Sequence, residues 1–65
     1  MQISVNGESE IIEPQSLESY LADKSLLGSR IAVERNGEIV PKSLFSEVIL
    51  EDGDVLEIVH AIGGG

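Results

Sequence analysis

Val55-Leu56-Glu57-Ile58-Val59-His60 is the longest β-branched run in the chain. Its length suits a strand, and apolar residues fall on both alternating sets of positions. Leu56 and Ile58 form one set, and Val55 and Val59 form the other. A strand with apolar residues on both faces belongs in the middle of a sheet. We expect Leu56 and Ile58 to face a core and Val55 and Val59 to lie on the opposite face. The turn Glu51-Asp52-Gly53-Asp54 leads into it with clear turn chemistry.

Upstream, two hairpins announce themselves. Gln2-Ile3-Ser4-Val5 alternates polar and apolar, Asn6-Gly7 follows, and Glu8 to Glu13 reads as the return strand. Ile31-Ala32-Val33-Glu34-Arg35, Asn36-Gly37 and Glu38-Ile39-Val40 repeat the arrangement, and Pro41 ends it. Asn-Gly is a strong hairpin signal because both residues tolerate positive φ. Between the hairpins, Pro14-Gln15-Ser16 breaks the strand and Ser16 can cap a helix. Leu17, Tyr20, Leu21 and Lys24 share one helical face, so the spacing predicts a helix over about 17–24. Gly28 offers its stop. Lys42 to Phe45 should form a helical turn that tucks Leu44 or Phe45 under the sheet, and Val48-Ile49-Leu50 a short extended piece. The order hairpin, helix, hairpin, connector, strand fits an α+β domain. One helix covers one face of a mixed sheet of four to five strands and leaves the other face open, as in a β-grasp domain.

The chain has 65 residues and no cysteine. That allows one small domain held by a single core, with no disulfide or thiolate metal site. Aromatics are limited to Tyr20 and Phe45, so the core must be aliphatic. Acidic residues number 12 against 4 basic ones, for a formal net charge of −8. Nucleic-acid binding needs phosphate neutralisation, and this charge argues against it and against an anionic membrane surface. The acidic excess serves solubility, or steers the chain toward a basic partner. No signal-peptide pattern or membrane-length apolar run occurs, so a cytoplasmic protein, monomeric when free, is expected.

Few side chains suggest chemistry. His60 is the only histidine and lacks a nucleophile beside it. Glu51, Asp52 and Asp54 do not follow a calcium-loop spacing and read as a solvated turn. No catalytic residue and no metal site is expected. The open face suggests a docking patch of Val55, Val59 and Ile62.

The remaining signal is Ala61-Ile62-Gly63-Gly64-Gly65. We expect a domain over 1–62 and a flexible glycine tail over 63–65, with Gly65 carrying a free α-carboxylate. Glycines cost much entropy to order and have no Cβ, so such a tail can thread a narrow channel of another protein. Five extended residues reach about 17 Å. A carboxylate is inert until activated. Adenylation would make it a mixed anhydride, and a sulfur nucleophile could displace AMP to leave a thiocarboxylate.

Glu57 to Gly65, the Glu51-Asp52-Gly53-Asp54 turn and the Val33-to-Pro41 hairpin together resemble the thiamine sulfur carrier family, over essentially the whole chain. The resemblance implies a ubiquitin-like β-grasp fold. It also implies that Gly65 is adenylated by an E1-like adenylyltransferase using ATP and magnesium, with no cofactor bound to the carrier. A cysteine desulfurase or another donor would supply sulfur, and thiazole synthase would receive it for the thiazole of thiamine. On this reading Gly63 and Gly64 thread the channel and Gly65 bears the thiocarboxylate, so the chain is a co-substrate rather than an enzyme. The small subunit of molybdopterin synthase, a protein modifier and a plain β-grasp interaction module are the alternatives.

Overall fold

The computed structural model describes residues 1–61. Ile62, Gly63, Gly64 and Gly65 lie outside the described residues.

Among the described residues, five strands, one α-helix and one 3-10 turn follow the expected order. They are β1 (Gln2–Val5), β2 (Glu8–Ile11), α1 (Leu17–Asp23), β3 (Ile31–Arg35), β4 (Glu38–Val40), a 3-10 turn (Lys42–Leu44) and β5 (Val55–His60). The strand order is β2-β1-β5-β3-β4, with β5 in the centre. β1 and β5 run parallel, and the other neighbours are antiparallel. Both hairpins close on two-residue loops with positive φ throughout: Asn6 51° and Gly7 85°, Asn36 52° and Gly37 88°. Mirror-image turns of this kind match the right-handed twist of the flanking strands.

The α1 helix starts where its cap predicts. The Ser16 hydroxyl accepts from the Ser19 backbone N–H at 3.0 Å. Leu17, Tyr20 and Leu21 are buried against Ile3, Val33, Phe45, Leu50, Leu56 and Ile58. The helix ends at Asp23 with Lys24 as its C-cap, as the spacing predicts, but the stop is made by Ser25 and not by Gly28. Ser25 takes φ 61°, the Ser25 N–H donates to the Ala22 carbonyl at 3.0 Å, and the Leu26 N–H donates to the Leu21 carbonyl at 2.8 Å. This is the glycine-type helix stop built on a serine. The Leu26 side chain, which packs against the core, favours that stop.

The 3-10 turn buries Phe45 and leaves Leu44 exposed. Ile49 pairs with Ser16 through a single bridge. Within β5, Leu56 and Ile58 are buried, whereas Val55 and Val59 are 45% and 59% exposed on the other face.

Candidate functional site

β5 is the last described strand and precedes the glycine tail in the chain, so the contacts that hold β5 set the direction in which the described chain leaves the sheet. Its start is tied on both flanks. On the β1 side the Ser4 N–H donates to the Asp54 carbonyl at 2.9 Å and the Gly53 N–H to the Gln2 carbonyl at 2.7 Å. The Gln2 N–H reaches the Asp52 carboxylate at 2.7 Å. On the β3 side the Asn36 N–H donates to the Val55 carbonyl at 2.8 Å, and the Asn36 side-chain oxygen accepts from the Val55 N–H at 2.9 Å.

Asp54 is the centre of this knot: Glu51 and Asp52 are exposed as a solvated turn requires, but Asp54 is buried and that part of the expectation needs correction. Its residue exposure is 5%. Its carboxylate accepts from Arg35 Nε at 2.9 Å, Asn36 Nδ2 at 3.1 Å and the Glu51 N–H at 2.8 Å. Burial pushes the Asp54 carboxyl up. The hydrogen bonds from Glu51, Asn36 and Arg35, with the Arg35 charge, outweigh burial and hold it below 3.8. Donors from the protein already occupy these oxygens. Among the described residues no group of three or more His, Asp or Glu side chains could hold a metal ion.

Farther along, β1 ends at Val5 but its grip on β5 continues through a side chain. Asn6 Nδ2 donates to the Ile58 carbonyl at 3.1 Å, and Asn6 Oδ1 accepts from the Ile58 N–H at 2.8 Å. One amide side chain thus replaces a further residue of parallel ladder. Beyond Ile58 the ladder is carried by β3, with Ala32 opposite Val59 and Ile31 opposite His60. The Ala61 N–H donates to the Arg30 carbonyl at 2.8 Å.

The sequence placed Val55 and Val59 on the open face, and the structure finds them there, on the same face as Glu57. The expected contributions of Ile62, Gly63, Gly64 and Gly65 fall outside the described residues. Asn6, Asn36 and Asp54, which position the strand, were not anticipated in that role. Asn in both turns was the available signal, because a side chain with both a donor and an acceptor can pair with a backbone as a peptide unit does.

A single helix packed on one face of a mixed five-stranded sheet, with the last strand central and feeding the tail, defines a ubiquitin-like β-grasp domain. The chain belongs to the ThiS family, whose model matches residues 2–65. The sulfur carrier protein ThiS of Bacillus subtilis is 46% identical over 50 residues, covering 77% of this chain and 76% of that protein. The crystal structure of the thiamine biosynthesis protein ThiS from Geobacter metallireducens superposes with a TM-score of 0.86 at 28% identity, covering 100% of both chains. A thiazole synthase from Paramagnetospirillum magneticum is 44% identical over 66 residues, which is 100% of this chain and 20% of that protein. The chain therefore spans about a fifth of that thiazole synthase.

Proposed function

We propose that this chain is a sulfur carrier of thiamine biosynthesis and that its working group is the α-carboxylate of Gly65. The observation that carries the reading is the match to the ThiS family over residues 2–65. The architecture is consistent with it: a central strand with one buried face, clamped along its first four residues from both sides, leads toward the tail. A carrier needs no catalytic side chain of its own. It must hold its chain end in a defined direction and let another protein do the chemistry.

In the reaction we propose, the Gly65 carboxylate attacks the α-phosphorus of ATP on an E1-like adenylyltransferase, and pyrophosphate leaves. A sulfur nucleophile from a cysteine desulfurase or another donor then attacks the acyl carbon and AMP departs. If the donor is a persulfide, a second thiol cleaves the resulting S–S bond and frees the thiocarboxylate. Thiazole synthase is the proposed acceptor. This partner is supported by the thiazole synthases in which the matching segment makes up a fifth of the chain.

The test is mass spectrometry of the protein after incubation with the adenylating enzyme, ATP and a sulfur source. The expected gain is that of one oxygen replaced by sulfur, localised to Gly65. A chain lacking Gly65 should melt as the full chain does and gain nothing. High-mass lysine conjugates would point to a protein modifier instead, and sulfur loading without Gly65 would refute the carrier reading.

A further inference from the structure

Cross-strand register places Glu34 directly opposite Glu57 on the open face. Two carboxylates facing each other across an antiparallel pair repel, and such pairs destabilise a sheet. Among the described residues neither carboxylate is joined in an ion pair, and Lys24 and Arg35 are engaged elsewhere, Lys24 with Glu10 and Arg35 with Glu51 and Asp54. Arg35 cannot turn to them, because it alternates onto the helix side with Leu56 and is held there by Asp54. The two carboxylates sit in an apolar frame. Val55 and Val59 flank Glu57 along β5, Ala32 lies opposite Val59, and Ile39 lies opposite Glu34 on β4. Ile39 is 63% exposed, so the frame is open to a partner.

A sheet face that is apolar at its edges and doubly negative at its centre leaves a local conflict among the described residues. Local conflicts of this kind are expected at functional or strained sites. We infer that Glu34 and Glu57 form a socket for a basic side chain, arginine above lysine, on the protein that adenylates the tail. A guanidinium presents donors on two edges and can bridge two carboxylates, while its stem lies along Val59 and Ala32. The occupant follows from continuity: β5 passes from Glu57 through Val59 and Ala61 directly to the tail. A protein that holds the tail therefore meets this face. The inference rests on the carrier reading and adds the chemistry of the docking surface to it.

The test compares the wild-type chain with E34Q/E57Q and with E13Q/E47Q. The second pair removes the same two charges from exposed positions off this face. Binding to the purified adenylating enzyme is measured by calorimetry, and each chain is also melted alone. Removing the opposed charges should raise the Tm of E34Q/E57Q by about 3 °C and weaken binding by roughly tenfold or more. E13Q/E47Q should bind nearly as the wild type does. Unchanged affinity for E34Q/E57Q, or an equal loss in both variants, overturns the socket while wild-type adenylation keeps the carrier reading standing. A wild-type chain that is never adenylated ends both.

Discussion

At Asp54 the strand β5 enters the sheet between hydrogen bonds on both flanks, with a buried carboxylate at the junction. At His60 it leaves with β3 on one flank, and β1 has already ended. The same six residues thus have one end tied into the core and one end held on a single flank. On the carrier reading proposed above, the difference separates two tasks: the start sets the direction of the strand and contributes to stability, and the end is left to engage a partner without disturbing the fold.

Asp54→Ala is the strongest way to break that contrast. It removes the acceptor of three hydrogen bonds and leaves Arg35 without its short ion-pair partner. Loss of one member of a buried pair costs several kcal/mol, and Arg35 is itself 26% exposed, so we expect about 3 kcal/mol, at the lower end of that range. Chemical denaturation should show the loss directly; a cost near zero would mean that the knot does not hold β5. The same group imposes a pH dependence. Its folded pKa lies below the unfolded value of 3.8, so the unfolded chain takes up the proton first as pH falls. The stabilisation is full at neutral pH, is present above the unfolded value, and disappears as pH drops through the folded value. Asp54→Asn should flatten the acid limb of stability relative to wild type.

Asn6→Asp tests the middle of the strand. Aspartate keeps the turn, because it tolerates positive φ, and it still accepts from the Ile58 N–H. It replaces the donor to the Ile58 carbonyl with a carboxylate oxygen. We expect a loss of about 1–2 kcal/mol and faster hydrogen exchange at the Ile58 amide, with the β3 ladder still protected. If Ile58 exchange were unchanged, the clamp would be incidental and the two flanks of β5 would differ less than the geometry indicates.

Much of this was readable before any coordinates. Alternation gave Leu56 and Ile58 their inward face, the Leu17, Tyr20, Leu21 spacing gave the helix face, and Asn-Gly gave both turns. These are local signals whose period or φ requirement lies within a few residues. What escaped was non-local. Asn6 meets Ile58 across 52 positions, and Asn36 meets Asp54 across 18, so the turn asparagines show in the sequence but their partners do not. Asp54 has the composition of an exposed turn and is buried only because Arg35 and Asn36 arrive from another hairpin. The helix ends where its spacing predicts, with Lys24 as its C-cap, but the residue that stops it is Ser25 rather than Gly28. Ser25 accepts a left-handed conformation that glycine would take more readily, and core packing of Leu26 outweighs that preference. Of the candidate site, Val55 and Val59 were legible from alternation, whereas the opposition of Glu34 and Glu57 depends on a register that no single segment encodes.

The smallest expected effect on stability falls at the delivery end. Val59 is 59% exposed and sits opposite Ala32 on the open face, past the last contact with Asn6. Val59→Asp buries no charge and opens no cavity. Its cost comes from weaker strand propensity and from proximity to Glu57, together below about 1 kcal/mol. Binding to the adenylating enzyme should nevertheless fall sharply, because an apolar contact beside the tail becomes a charge that the partner must desolvate. Read together, a melt close to wild type and a weakened complex would show that fold and delivery are carried by opposite ends of one strand. A large stability loss from Val59→Asp would instead make the exit of β5 part of the core, and the contrast with Asp54 would collapse.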